Sequence, residues 1–202
     1  MPKLLNKSEM AKAQRRLKTY RRLLPPLDIK RKQLIQEKNK ALRLVEITQE
    51  KMNSIRSKVD RNLPMLANRE IDLTDLTKVK SIEMGEENLV GARLPVIRAM
   101  HMESTKYGFL TKPHWVDNAK KLLEAYLRLQ IQQRVNEQRL ALLEKAVIKA
   151  TQRVNIIEKI LIPETRQHIR EILIHLDEIE RASVIRAKIT KRLKSVKSES
   201  DL

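Results

Sequence analysis

One feature dominates the first sixty residues. Met10, Ala13, Leu17, Tyr20, Leu24, Leu27, Arg31, Leu34, Lys38, Ala41, Val45, Thr48, Met52, Ile55 and Val59 step by three and four without a break. Side chains at that spacing share one face of an α-helix, and a stripe of this length cannot be buried by the helix that carries it. It demands a second helix alongside. Three of the fifteen positions are polar, Arg31, Lys38 and Thr48. Long Arg and Lys stems can lie along a helix–helix seam with their charges in water. Pro25 and Pro26 fall inside the pattern and are expected to kink or break the helix locally.

The second helix is written in the same code. Ala119, Leu122, Tyr126, Leu129, Gln133, Asn136, Leu140, Leu143, Val147, Ala150, Val154, Ile157 and Leu161 again step by three and four. Ile169, Ile172, Leu176 and Ile179 then carry the stripe on with its phase moved by one residue, and Pro163 sits at the shift. Gln133 and Asn136 form adjacent polar layers, which in such seams specify register. A helix over residues 4–60 would be ~85 Å long and one over 118–196 ~115 Å. About sixty residues separate the two, enough for the chain to turn round and pair them antiparallel; a parallel pair would need a connection of nearly helix length.

The connecting region, 61–118, holds all three glycines (Gly85, Gly91, Gly108) together with Pro64, Pro95 and Pro113. Asp72 to Leu76 reads as the start of a short helical turn. Val79–Ile82 and Leu89–Ile97 read as two strands around the polar stretch Glu83–Asn88, a β-hairpin expected to project from the helices. The fold class is therefore all-α: a long antiparallel two-helix coiled coil with a small middle region containing a short helix and a β-hairpin. The expected divisions are 1–60, 61–118, and 119–202 with a polar tail from Ser195.

Charge is distributed unevenly. The chain carries 43 Lys and Arg against 25 Asp and Glu, a net +18. Residues 1–24 have 8 basic and 1 acidic residue, and 181–197 have 7 basic and none acidic, so each segment is +7, while 61–118 has 8 of each and is neutral. Antiparallel pairing is expected to bring the two basic segments into one tip. Basic termini are often phosphate-binding, so a coiled-coil scaffold binding RNA or DNA is one reading, and a binder of anionic membrane surfaces another. Single-strand readers stack bases on aromatics beside basic residues; only Tyr20 lies in a basic segment, and it occupies a seam position.

Residues for chemistry are missing. There is no cysteine, which excludes disulfides, thiolate metal ligands and a cysteine nucleophile. The glycines cannot build a phosphate loop or a dinucleotide fingerprint. His168 and His175 lie seven apart with no third ligand at metal spacing. Asp177, Glu178 and Glu180 point in different directions from one helix. No segment approaches ~18 uncharged apolar residues, so no membrane span is expected, and Met1–Lys7 lacks an apolar signal core. A non-catalytic cytoplasmic protein without cofactor or metal is expected.

Particular residues then point further than periodicity does. The segment Thr151-Gln152-Arg153-Val154-Asn155-Ile156-Ile157-Glu158-Lys159-Ile160-Leu161-Ile162-Pro163 resembles the hallmark stretch of the D subunit of V-type and A-type rotary ATPases, which reads Arg-Val-Asn-x-apolar-Glu-x-x-apolar-Ile-Pro. Asn88-Leu89-Val90-Gly91-Ala92-Arg93-Leu94-Pro95 resembles that family's hairpin motif, Asn-apolar-x-Gly-x-x-apolar-Pro. Tyr107-Gly108-Phe109-Leu110 and Arg186-Ala187-Lys188-Ile189-Thr190-Lys191 are similar to bacterial members. Arg181-Ala182 departs from the aliphatic or acidic run those members often carry, and Pro25-Pro26 is less general. The resemblance covers nearly the whole chain in order.

The resemblance implies a central rotor shaft, peripheral to the membrane. Its tip, carrying Arg15, Arg16, Arg21, Arg22, Arg186, Lys188, Lys191 and Arg192, would enter the bore of a catalytic hexamer of A and B subunits. Its lower part would bind the F subunit. Its base would dock on the funnel-shaped subunit above the membrane rotor ring. Rotation would couple ATP hydrolysis or synthesis to ion movement. The motif residues carried over are Arg153, Val154, Asn155, Glu158, Ile162, Pro163, Asn88, Gly91 and Pro95. No nucleotide site and no nucleic-acid partner are implied.

Overall fold

The first helix begins where its backbone donors find a partner. Asn6 Oδ1 accepts the Glu9 N–H at 2.8 Å, an N-cap that satisfies one of the free first-turn amides, and Glu9 places negative charge at the positive end of the helix. In this computed structural model residues 5–67, 76–104 and 113–200 are described. Helix α1 spans Lys7–Asn62, a 3₁₀ turn follows at Pro64–Ala67, strands β1 (Thr77–Leu89) and β2 (Ala92–Ser104) form an antiparallel pair, and helix α2 runs Trp115–Ile156. A π-helical turn at Ile157–Leu161 joins it to helix α3, Ile162–Ser200. The chain is mostly helical, with one small hairpin.

All fifteen positions of the α1 stripe are buried or half-buried, the three polar ones included. Pro25 and Pro26 do not break the helix: α1 continues through both. Each proline lacks an N–H, so the carbonyls of Arg21 and Arg22 lose their helical donors. Those two residues and both prolines are exposed, which leaves the carbonyls to water, while Leu24 and Leu27 hold the seam on either side. The polar stretch from Ser195 is helical in backbone to Ser200.

The phase shift of the second stripe has a backbone cause. In the π turn the Ile162 N–H bonds the carbonyl of Ile157, five residues back rather than four. A π turn inserts one residue into an α-helix, and the stripe moves by one residue across it. On the shifted phase Thr165 and Ile169 are half-buried and Ile172 is fully buried, whereas on the unshifted phase Glu164 is exposed and His168 and Glu171 are only half-buried. Pro163 explains the location. Its ring would clash with the carbonyl of Lys159 in an unbroken α-helix, and the wider turn relieves the crowding. The burial ends further on, with Ile179 at 49% and Ile189 at 52% exposure; Ile189, expected in or near the seam, is solvent-facing.

The chain divides into two compact units, a central one of Lys30–Lys149 and a terminal one of the residues up to Ile29 with those from Ala150 on. In the central unit Lys38 Nζ lies 3.5 Å from Glu144 Oε1, and Asn136 Nδ2 donates to Thr48 Oγ1 at 3.3 Å. Moving up α1 thus means moving down α2, so these contacts run antiparallel. Thr48, Gln133 and Asn136 are all under one-tenth exposed. The Thr48–Asn136 bond between two buried groups is a register pin, since a shift by one layer would orphan the Asn136 amide, although the Thr48 hydroxyl keeps its own-helix bond to the Leu44 carbonyl at 2.6 Å.

The hairpin is longer than expected and turns elsewhere. Its strands pair from Thr77↔Ser104 to Leu89↔Ala92, with Lys80 and Arg98 as bulged residues, one on each strand. Glu83–Asn88 is not the turn but part of the exposed β1 edge, whose charges guard against edge-to-edge pairing. The turn is Val90-Gly91, both at positive φ (54° and 82°), as in the two-residue turns that match strand twist. Asn88 Oδ1 accepts the Gly91 N–H at 3.0 Å. Nor does the hairpin project freely. Leu94 is wholly buried, Arg139 of α2 reaches Glu87 Oε2 at 3.3 Å and donates to the Pro95 carbonyl at 3.5 Å, and Val96, Ile97 and Met100 share a cleft of about 370 Å³ with Arg128, Gln132, Val135 and Arg139. The expected helical turn at Asp72–Asp75 and the Tyr107–Leu110 motif lie outside the described residues.

Three outcomes follow from this packing. Leu143, 1% exposed, and Leu142, 39% exposed, are neighbours in sequence on different faces; Leu143→Ala should cost about 2–4 kcal/mol in urea unfolding and Leu142→Ala less than about 1 kcal/mol. Val90 is a β-branched residue in the left-handed region, at a cost of about 1–2 kcal/mol, so Val90→Asn should slow amide exchange across the hairpin. Arg139→Met keeps the stem but removes the charge, and should speed exchange in β1 and β2 only a few-fold, because a partly exposed ion pair contributes about 1 kcal/mol or less.

Candidate functional site

Among the described residues no group of three or more His, Asp and Glu side chains is placed to hold a metal, and no helix is long and apolar enough to cross a membrane. What the molecule presents instead is surface: a strongly basic terminal unit, a docked hairpin and an apolar cleft.

Both basic segments belong to the terminal unit. Arg15, Arg16, Arg21 and Arg22 are exposed on α1, and Arg186, Lys188, Lys191 and Arg192 are exposed on α3. Arg16 comes within 4.0 Å of Glu9, which Lys12 also contacts at 3.3 Å, so the one acidic residue of the segment offsets little of its charge. The segments differ in support. The α1 arm, Lys7–Ile29, alternates these arginines with a stripe centred on Ala13, 1% exposed. On α3 every residue from Arg186 to Arg192 is exposed, apolar Ile189 included. The reason is length: 23 residues of α1 (Lys7–Ile29) face 51 from Ala150 to Ser200, and at equal rise the shorter arm covers only about half of the longer. The stretch Arg186–Arg192 thus carries its charge and the apolar Ile189 together into solvent.

The motif residues sort into three jobs. Val154 (2% exposed) and Ile162 (9%) are core. Pro163 shapes the π turn beside them. Arg153 and Glu158 are exposed and Asn155 half-buried, so these polar positions are open to a partner. In the hairpin, Asn88 and Gly91 build the turn and the Pro95 carbonyl receives Arg139. A Cβ on Gly91 would lie 3.0 Å from Lys30 Nζ, which places the turn close to α1 in the same unit.

Two features were not anticipated from sequence. Arg128, Gln132, Val135 and Arg139 form a second stripe on α2, one residue behind its seam, and it is this stripe that carries the hairpin. Its only sequence signal is an apolar Val135 off the seam phase. The second is a cleft of about 480 Å³ between the end of α1 and the start of α2, lined by Ile55, Val59, Leu63, Leu66, Leu76, Leu122 and Tyr126 among others. Apart from Arg56, the lining residues look like ordinary core in the sequence; only the fold leaves a groove between them.

Comparison with known proteins places these features in a family. The family described as the ATP synthase D subunit matches residues 9–192. The V-type ATP synthase D subunit of Borreliella burgdorferi is 26% identical over 187 residues, covering 93% of this chain and 92% of its own. That of Chlamydia abortus is 28% identical over 192 residues, 92% of this chain and 89% of its own. That of Chlamydia felis is 29% identical over 125 residues, 61% of this chain and 60% of its own. With the family matched from the first turn of α1 to the exposed end of α3, across the hairpin and the π turn, the chain belongs to the ATP synthase D-subunit family.

Proposed function

We propose that this chain is the central shaft of a V-type ATP synthase, a non-catalytic subunit that couples ATP hydrolysis or synthesis in a catalytic hexamer to ion translocation by rotating. The observation that carries the reading is the family match along residues 9–192, on a chain whose helices α1 and α2 meet antiparallel through Thr48–Asn136 and Lys38–Glu144. α1 and the α2–α3 helix form an antiparallel coiled coil, with the residues between them, 61–118, as a side module. A shaft must be stiff, and two helices that bury one another's stripes resist bending more than either alone.

The partners follow the surfaces. The basic terminal unit, with Arg15, Arg16, Arg21, Arg22, Arg186, Lys188, Lys191 and Arg192, enters the bore of the hexamer of A and B subunits. Exposed charges suit a bearing. Each pair contributes only about 0–1 kcal/mol, so the shaft is held without being locked at one angle. The apolar cleft around Leu63, Leu66 and Tyr126 seats the base on the funnel-shaped subunit above the rotor ring. The F subunit binds the intervening helices, and the assembly holds the chain peripheral to the membrane.

The competing scaffold reading shares the basic terminal unit, and one experiment separates them. Charge-neutralising substitutions at Arg15, Arg16, Arg21, Arg22, Lys188, Lys191 and Arg192 should weaken binding to reconstituted hexamer by a few kcal/mol in total, with under about 1 kcal/mol per site. Binding of the intact protein to a random duplex at physiological salt should be weak and fall steeply as salt rises. Tight duplex binding with no hexamer binding would overturn the shaft assignment. Ile189→Ala, at an exposed position, should change stability by less than about 0.5 kcal/mol.

A further inference from the structure

We infer that the terminal unit contains a compliant joint, made by backbone defects placed at the same level in both of its helices. On α1 the defect is Pro25-Pro26, which removes two consecutive helical hydrogen bonds, to the carbonyls of Arg21 and Arg22. On the opposite strand of the pair it is the π turn Ile157–Leu161, closed by Ile162 N–H to the Ile157 carbonyl and followed at once by Pro163. Each defect is flanked by a threonine whose hydroxyl donates back to a helix carbonyl: Thr19 Oγ1 to Arg15 O at 3.0 Å and Thr165 Oγ1 to Leu161 O at 2.6 Å. Such back-bonds compete with the helix ladder and bend helices.

The levels are found by counting along the two stripes. Ala13 and Ile172, 1% and 0% exposed, are the most deeply buried described side chains of the unit. Taken as one layer of an antiparallel seam, they fix the next layers at steps of seven: Tyr20 with Thr165, then Leu27 with Ile157 once the extra residue of the π turn is counted. Pro25 and Pro26 then lie beside residues 158–160. A helix pair is stiff because a weak point in one member is splinted by the other; here neither splints. The α1 prolines, Glu158 and Ile160 are exposed, so the defects themselves carry no core side chain, and the seam at this level is held by half-buried Leu24, Leu27, Ile157 and Leu161 between the core residues Val154 and Ile162. A π turn can also pass its extra residue along the helix, which changes local twist without unfolding. As a property of the helix pair the joint stands independently of function; as torsional give in a rotating shaft it rests on the reading above.

The test compares the full chain with a variant in which Pro25 and Pro26 are replaced by Ala, Ile160 is deleted and Pro163→Ala is added. Deletion removes an exposed residue (56%) and makes the second stripe continuous. Hydrogen exchange of the intact wild-type protein should be at least about tenfold faster at amides 21–30 and 157–167 than around Leu34 and Leu143, and the variant should abolish most of that difference. Equal exchange in the wild type, or an unchanged difference in the variant, would overturn the joint. Should the fourfold variant fail to fold, Pro26→Ala alone must slow exchange at amides 21–30, and no change there has the same negative meaning. Binding to reconstituted hexamer is scored separately: a chain with the fast-exchanging joint that does not bind refutes the shaft reading and leaves the joint standing.

Discussion

Everything in this molecule hangs on a stripe that its own helix cannot bury. α1 presents fifteen seam positions over 50 residues, Met10 to Val59, and every one is at least half shielded from water. The driving force is ordinary apolar burial, spread thinly: few residues are wholly enclosed, Leu34, Leu143 and Ile172 among them. Where α1 and α2 meet in the central unit they share one interface with no deep interior, so stability is distributed along it and no single layer dominates. That also explains why only five aromatic residues are needed, since a single seam has no thick core for large rings to fill.

A uniform apolar stripe would slide, and polar layers prevent it. The Thr48–Asn136 bond, with Gln133 one turn away, is the clearest such device. A slip would bury the asparagine amide unpaired, which costs more than the bond itself contributes, while the threonine hydroxyl keeps its bond to the Leu44 carbonyl of its own helix. Stability is thus exchanged for a unique register, and the register in turn sets which residues of α2 are left to receive the hairpin.

The hairpin shows how a minor element is kept in place against α2. β2 buries Leu94 and leans Val96, Ile97 and Met100 toward α2, while β1 faces water with charged residues. Arg139 ties both strands at once, one through the Glu87 carboxylate and the other through the Pro95 carbonyl. The tightest point is Val90, held at positive φ where glycine or asparagine would be relaxed. Nothing in the structure explains why valine stands there.

The sequence by itself determined the two long helices, their seam residues and the one-residue change of phase near Pro163, because a heptad is read directly from spacing and an inserted residue leaves a countable mark. It also located the hairpin and its glycine. Tertiary structure decided the rest. Glu83–Asn88 looks like a turn because it is polar, yet polarity in β1 records only that this edge faces solvent; the turn was set by the backbone signs at Val90 and Gly91. Pro25-Pro26 looks like a helix break, yet the seam on both sides holds α1 together while water serves the freed carbonyls. Ile189 looks like core, yet α1 is too short to cover it. The second stripe on α2, with Arg139 at its end, was invisible because it carries mixed polarity and has meaning only once β2 lies upon it. Periodicity states which face of a helix will be buried, but how far its partner extends and what lies on its other faces depend on chain segments distant in sequence.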